Sequence, residues 1–378
     1  MESTKHLSVL FGGEKVGKLA IYKRNLAAFE YESEWIAQGF SISPFSLPLE
    51  KKVYIPRYDP FSGLFGIFSD SLPDGWGRLL VDRYIRKNGI DPNGISEMDR
   101  LAVLGENGMG ALEYKPGVDF EIKAMKTDID ELAKGSIKLL NSEETESLDQ
   151  LFLLGSSSGG ARPKALIEIE GEDWIVKFPS AFDRPDTGKT EYEYSLCAKK
   201  CGLEMTETRL LDSELCSGYF ATKRFDRKKT SDGSTEKIHM ISASGILETS
   251  HRIPNLDYID LMKLTLALTD DYSEAESLFR LMCFNVFAHN RDDHSRNFSY
   301  LYDDKTDSWK LSPAYDLTYS FSMGGEHATT INGNGRNPGM DDILEAAKIV
   351  GISVRKARET AEFIRRTVFE SGILNSAE

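Results

Sequence analysis

Asn290-Arg291-Asp292-Asp293-His294-Ser295-Arg296-Asn297 follows a long apolar run and places an Asp five positions before an Asn. In phosphoryl-transfer loops this D-x-x-x-x-N spacing lets the Asp accept the acceptor hydroxyl's proton while the Asn holds a metal ion. Asp292 is then the catalytic base. Asn297 offers a neutral oxygen to Mg²⁺, which takes hard oxygen ligands and keeps waters. Asp293 and His294 fit either direct chemistry or a loop-shaping hydrogen-bond network. The bland alternative for the whole stretch is an Asx-rich turn.

Such a loop predicts three more parts: a Gly-rich loop over the phosphates, a strand Lys and a second metal-binding Asp. Gly155-Ser156-Ser157-Ser158-Gly159-Gly160-Ala161-Arg162-Pro163-Lys164 leads straight into the alternating run 164–169. Gly and Ser let backbone N–H groups approach anionic oxygens closely, although most such runs are linkers. No G-K-[ST] opens a helix afterwards, so it is not a Walker loop. Ser157, Ser158, Gly159, Gly160 and Lys164 are the candidate phosphate contacts. Lys177, in Trp174-Ile175-Val176-Lys177-Phe178-Pro179, is the strand Lys, with Glu191 before Glu193 as its helix partner. A solvent-facing Lys on an edge strand is the alternative. Asp316, in Leu311-Ser312-Pro313-Ala314-Tyr315-Asp316, follows a hairpin-like pair at 298–302 and 309–311 and lies 19 positions past Asn297. It is the second metal ligand, or else the cap of a turn beside Pro313.

Periodicity supplies the frame. Runs at 7–11 and 16–22 flank Gly12-Gly13-Glu14-Lys15 as a hairpin, and further strands are expected near 28–31 and 41–49. The run after Asp74-Gly75-Trp76-Gly77-Arg78 has helical spacing, and Ser96 reads as the N-cap of the next helix. The stretch 127–153 is helical and charged. A second hairpin is expected at 164–178, a helix at 190–202, and strands near 207–212 and 218–225. Helices dominate the last third, at 257–269, 273–289, 341–350 and 353–371. The loop 323–340 has five glycines and no apolar period, and loops of that length are usually functional or mobile.

At 378 residues two or three domains are expected, since a domain averages about 150. A net charge of -14 argues against a general nucleic-acid-binding surface, despite the short basic cluster at 223–229. No apolar run approaches the roughly 18 residues that span a bilayer, and the N-terminus has no signal-peptide pattern. A cytoplasmic protein without a membrane partner is expected. Cys197, Cys201, Cys216 and Cys283 form no C-x-x-C pair and read as free thiols in a reducing compartment.

Taken together, G-S-S-S-G-G-A-R-P-K (155–164), V-K-F-P (176–179), R-F-D-R (224–227), N-R-D-D-H-S-R-N-F-S (290–299) and P-A-Y-D-L (313–317) resemble the HipA-like serine/threonine kinases. These are the toxins of type II toxin–antitoxin systems. F-S-D-S-L-P-D-G-W-G-R (68–78) resembles that family's N-terminal subdomain.

The resemblance implies an α+β, two-lobed protein-kinase-like fold with an extra N-terminal β-rich subdomain, a mixed N-lobe and a mostly helical C-lobe. The expected divisions are 1–125, 126–225 and 226–378. It further implies ATP and Mg²⁺ as cofactors, phosphates near Lys177, adenine along Lys223 to Phe225, ribose near Asp226, and His294 among the nucleotide contacts. Autophosphorylation is expected at Ser157, with Ser156 or Ser158 as the shifted alternatives. The implied partners are a helix-turn-helix HipB-like antitoxin, operator DNA through that complex, and a protein substrate such as an aminoacyl-tRNA synthetase. Two other readings stay open: a DNA-bound corepressor with little toxicity, and a kinase for a small hydroxylated metabolite or lipid.

Overall fold

The computed structural model describes residues 3–118, 128–180 and 183–377. They gather into two compact units, the first holding 1–188, 209–241 and 245–248, the second 189–208, 242–244 and 249–378. The fold is α+β, as expected.

In the first unit β1 (His6–Phe11) and β2 (Glu14–Tyr22) form the expected hairpin, with β3 (Leu26–Tyr31), β4 (Val53–Tyr54) and β5 (Leu112–Lys115) completing a sheet of order β4-β3-β2-β1-β5. Residues 41–49 were expected as a strand but form a turn with one isolated bridge, Ser43 to Leu47. The buried Tyr31 hydroxyl and Ser41 Oγ both donate to the Leu47 carbonyl, at 2.8 and 2.7 Å. Those side chains satisfy the segment locally, in place of a ladder.

Six helices follow: α1 (Ser33–Gln38), α2 (Gly66–Ser71), α3 (Gly75–Lys87), α4 (Glu97–Leu104), α5 (Ile129–Leu140) and α6 (Leu148–Gly155). Ser96 caps α4 as expected, in a reciprocal capping box with Asp99. The expected boundary at 125/126 lies outside the described residues.

The second sheet runs β6 (Lys164–Ile169), β7 (Glu172–Lys177), β9 (Tyr219–Lys223), β8 (Thr208–Leu211). Alternation sorts its faces. Ala165, Trp174 and Val176 join Trp76, Leu80 and Leu151 of α3 and α6 in one buried cluster. Lys164 pairs directly with Lys177 across β6 and β7, so both lysines lie on the opposite face, away from those helices. A small hairpin, β10 (Arg227–Lys229) and β11 (Thr235–Lys237), and the strand β12 (His239–Ser242) follow. No separation falls at 225/226, because Arg224, Asp226 and Arg227 are bonded to one another inside this unit.

The second unit is mostly helical. It holds most of α7 (Thr187–Lys200), then, after the short α8 (Ala243–Ile246), α9 (Tyr258–Thr269), α10 (Tyr272–Phe287), α11 (Met340–Ile349), α12 (Val354–Ser371) and α13 (Ile373–Ala377). β13 (Leu256–Asp257) pairs in parallel with β16 (Thr329–Thr330), and β14 (Ser299–Asp303) with β15 (Ser308–Leu311) is the hairpin expected before Asp316. All four cysteines are free thiols, and all but Cys216 are buried. Among the described residues no helix is long and apolar enough to cross a membrane.

Candidate active site

Two loops carry the candidate chemistry, and each is fixed within its own unit. In the first, α6 ends at Gly155 and the chain turns through 156–163 into β6. Ser158 Oγ donates to the Gly155 carbonyl at 2.6 Å, and Lys164 Nζ to the Gly159 carbonyl at 2.5 Å. Gly160 takes φ +85°, a left-handed value that suits glycine. Ser157 and Ser158 are buried, at 5% and 2% exposure.

The backing of this loop was not foreseen. Asp74 accepts a hydrogen bond from the Gly160 N–H, and the Trp76 N–H donates to the Gly160 carbonyl at 3.0 Å. Trp76 Nε1 donates to the Lys164 carbonyl at 2.9 Å. A Cβ at Gly75 would stand 2.6 Å from Ala161 Cα, and one at Gly77 2.5 Å from the Ser158 carbonyl oxygen. Asp74-Gly75-Trp76-Gly77 thus meets the Gly-rich loop backbone to backbone. Two glycines around a Trp at a helix start were the available signal.

Lys177 is half-buried, its Nζ 5.6 Å from the centre of the Phe220 ring. Lys223 lies opposite Trp174 in the β7–β9 ladder, hence on the other face of the sheet from Lys177, and its Nζ is 2.9 Å from Glu172.

Asp226 has a different task from the expected ribose contact. It is 1% exposed, and its carboxylate accepts from Arg224 at 2.7 and 2.9 Å, Arg227 at 2.9 Å and the Gly110 N–H at 2.8 Å. Arg227 also donates to the Gly108 and Gly110 carbonyls, both at 2.8 Å. Burial works to raise the Asp226 carboxyl, but the two guanidiniums outweigh it and hold it well below the usual range. The R-F-D-R motif is therefore a staple between β9 and the segment before β5.

In the second unit α10 delivers the catalytic loop. Asn297 Nδ2 donates to the Asp292 carbonyl at 2.6 Å, closing the D-x-x-x-x-N segment on itself. The Asp292 side chain is 67% exposed, with His294 Nε2 4.0 Å from its Oδ1. Asp293 points inward instead. Its carboxylate accepts from the Tyr258 hydroxyl at 2.8 Å and the Ala328 N–H at 2.8 Å, and meets His327 Nδ1 at 2.8 Å. Thr329 Oγ1 donates back to the Asp293 carbonyl at 2.6 Å. Burial, then the Asp293 charge, push the Tyr258 phenol well above its ordinary value and keep it a donor.

The long loop 323–340 is thereby ordered, because Asp293 holds one part of it and Asp257 accepts from Thr330 Oγ1 and the Gly333 N–H at 2.6 and 2.8 Å. Tyr258, His327 and Thr329 were not foreseen as partners of the catalytic loop. They lie at least 34 residues from Asp293, and no local pattern marks them.

Asn297 and Asp316 fit Mg²⁺ in chemistry. With its nitrogen on Asp292, Asn297 would offer Oδ1 to the ion, and Asp316 would add a carboxylate from a left-handed turn at φ 53°. Among the described residues no group of three or more His, Cys, Asp or Glu could hold a metal. Mg²⁺ does not require one, since it binds through one or two carboxylates together with substrate phosphates and waters.

The family model for the HipA-like C-terminal domain matches residues 156–371, and that for the HipA N-terminal domain matches 7–115. The chain is 27% identical over 342 residues to "Putative kinase Y4mE" of Sinorhizobium fredii, covering 82% of this chain and 76% of that one. A second protein of that organism, "Putative kinase Y4dM", is 25% identical over 72% of this chain and 69% of its own. Among solved structures, the Shewanella oneidensis HipA, HipB and operator DNA complex superposes with TM-score 0.72 at 16% identity, over 98% of this chain and 90% of that one. With the larger match spanning more than half of its length, the chain belongs to the HipA family.

Proposed function

We propose that this protein is an ATP- and Mg²⁺-dependent serine/threonine protein kinase, acting as the toxin of a toxin–antitoxin pair. The observation that carries the reading is the closed loop in which Asn297 fixes the Asp292 backbone while the Asp292 carboxylate stays exposed. In the reaction the acceptor hydroxyl gives its proton to Asp292, its oxygen bonds to the γ-phosphorus, and the bond to the β-phosphate oxygen breaks to leave ADP. Lys164 and Lys177, on one sheet face, offer positive charge to the phosphates. Asn297 and Asp316 would hold Mg²⁺, which would supply charge neutralisation on the transferring group.

The relatives named as kinases support this reading. HipB and operator DNA in the Shewanella complex support a helix-turn-helix antitoxin as partner, with DNA reached through it. By family resemblance the acceptor is a protein of the aminoacyl-tRNA synthetase kind. Autophosphorylation at Ser157, or at Ser156 or Ser158, would silence the enzyme. A phosphoserine carries about -1.5 to -2 charges, and Ser157 and Ser158 are too buried to hold one unless the loop leaves its seat.

Asp292→Asn tests the proposal. It should abolish autophosphorylation and growth arrest while shifting stability by less than about 0.5 kcal/mol, as exposed substitutions do. Phosphotransfer that survives the change would show that the base is misassigned. Retained arrest without phosphotransfer would favour the corepressor reading.

A further inference from the structure

The second unit contains a groove of about 800 Å³ floored by apolar side chains, among them Val286, Val368 and Leu374. Its walls carry Arg291, Arg336, Arg365 and Arg366 against one carboxylate, Glu362, a local balance of 4 − 1 = +3 in a chain of net charge -14. Glu362 already faces Arg358 at 3.9 Å, and Arg336 faces Glu326 at 3.1 Å. Among the described residues no carboxylate pairs with Arg291, Arg365 or Arg366.

The backbone segments that bear the cations are fixed. The Arg291 carbonyl accepts from the Ala328 N–H at 3.1 Å, and the His327 N–H donates to the Gly335 carbonyl at 2.7 Å, so the segments bearing Arg291 and Arg336 are stapled together. Arg365 and Arg366 ride on α12, which the buried Ala361, Ile364 and Val368 anchor. The Phe369 ring, also lining the groove, is 82% exposed.

Arg291 immediately precedes Asp292. We propose that this groove docks an acidic, apolar-containing segment of the acceptor protein next to its phosphorylated hydroxyl, an assignment that rests on the kinase reading above. Guanidinium forks match carboxylates in pairs, and arginine with exposed aromatic rings is the usual composition of a protein interface. The apolar floor favours a polypeptide over a nucleic-acid backbone. The net negative charge of the chain also repels a long polyphosphate more than a short acidic segment.

The test is fluorescence anisotropy on the full chain with three labelled probes: a short Asp/Glu/Leu peptide with one central Ser, its Asn/Gln counterpart, and a single-stranded oligonucleotide of equal charge. The acidic peptide should bind best, and more tightly at low salt. Its affinity should fall by roughly tenfold or more on R365E/R366E, a change at exposed positions that leaves autophosphorylation intact. Preference for the oligonucleotide, equal binding of acidic and amide peptides, or unchanged peptide affinity in R365E/R366E would each overturn the groove assignment. Autophosphorylation of the unaltered chain is read separately. Its absence would overturn the kinase reading, and the acceptor role with it, whatever the peptide does.

Discussion

The Gly-rich loop and the catalytic loop are both held tightly, but by different means. The catalytic loop hangs on a buried side-chain network: Asp293, with Tyr258, His327 and Thr329, fixes the backbone and turns Asp292 outward. In the Gly-rich loop Ser158 and Lys164 bond to carbonyls of the loop's own backbone instead. The loop is seated by close backbone contact with the 74–77 segment, one carboxylate on the Gly160 N–H, and the Trp76 indole. A side-chain network with several buried partners is broken only at high cost. A backbone seat can be vacated and refilled, which suits a loop that, on the proposed mechanism, admits phosphates and is ejected after modification.

The largest effect should come from breaking the network. Asp293→Ala leaves the Tyr258 hydroxyl and the Ala328 N–H without their acceptor, and each buried donor left unsatisfied costs about 1–3 kcal/mol. Chemical denaturation should show that loss, with the loop 323–340 becoming protease-sensitive. A variant as stable as the parent would mean that the network is not what orders the catalytic loop.

Next comes a pH effect confined to the first unit. Burial pushes Glu248 up to about 7, against the opposing hydrogen bond from the Gly66 N–H at 2.9 Å. Because the folded value lies above the unfolded one of about 4.5, the stability it contributes is full below pH 4.5 and is lost as pH rises through 7. The shift amounts to about 3 kcal/mol. His239, pushed down to about 4 by burial, acts oppositely: its contribution is lost as pH falls from 6.5 through 4. Comparing the chain with Glu248→Gln cancels the His239 contribution, which both proteins share. The Gln variant should gain on the parent between pH 5 and 8, and parallel melting curves would show that Glu248 is ionised freely in the fold.

Gly77→Ala probes the seat of the Gly-rich loop. Its Cβ would stand 2.5 Å from the Ser158 carbonyl oxygen, and overpacking of this kind costs about 1–3 kcal/mol. The effect expected of a seat is faster phosphorylation of the loop serines, measured by mass spectrometry, alongside modest destabilisation. Destabilisation with unchanged modification would make the 74–77 segment mere packing.

What could be read from the chain alone follows the same division. The hairpins, the Ser96 cap and the helices of the last third rest on contacts a few residues apart, so periodicity and capping chemistry expose them. The D-x-x-x-x-N loop was legible for that reason as well, since Asn297 closes on Asp292 within the motif. Asp74 with Gly160 spans 86 residues and Asp293 with His327 spans 34, and nothing local announces either pair. Asp226 is instructive because its signal was local and was read differently. Arginines two positions before it and one after it make a buried ion cluster the simplest outcome for that carboxylate.

The smallest effect belongs to Lys223, whose assignment among the nucleotide contacts the ladder register makes specific. Its side chain shares a sheet face with Trp174 and pairs with Glu172, while Lys177 points from the other face. Lys223→Ala should therefore cost no more than the 0–1 kcal/mol of a surface ion pair and leave nucleotide affinity within about twofold. Lys177→Ala, on the face shared with Lys164, should weaken nucleotide binding by tenfold or more, about the 1.4 kcal/mol or above expected of a charge-assisted phosphate contact. Isothermal titration with ATP and Mg²⁺ separates the two. If both lysines mattered equally, the phosphates could not be reading a single face of this sheet.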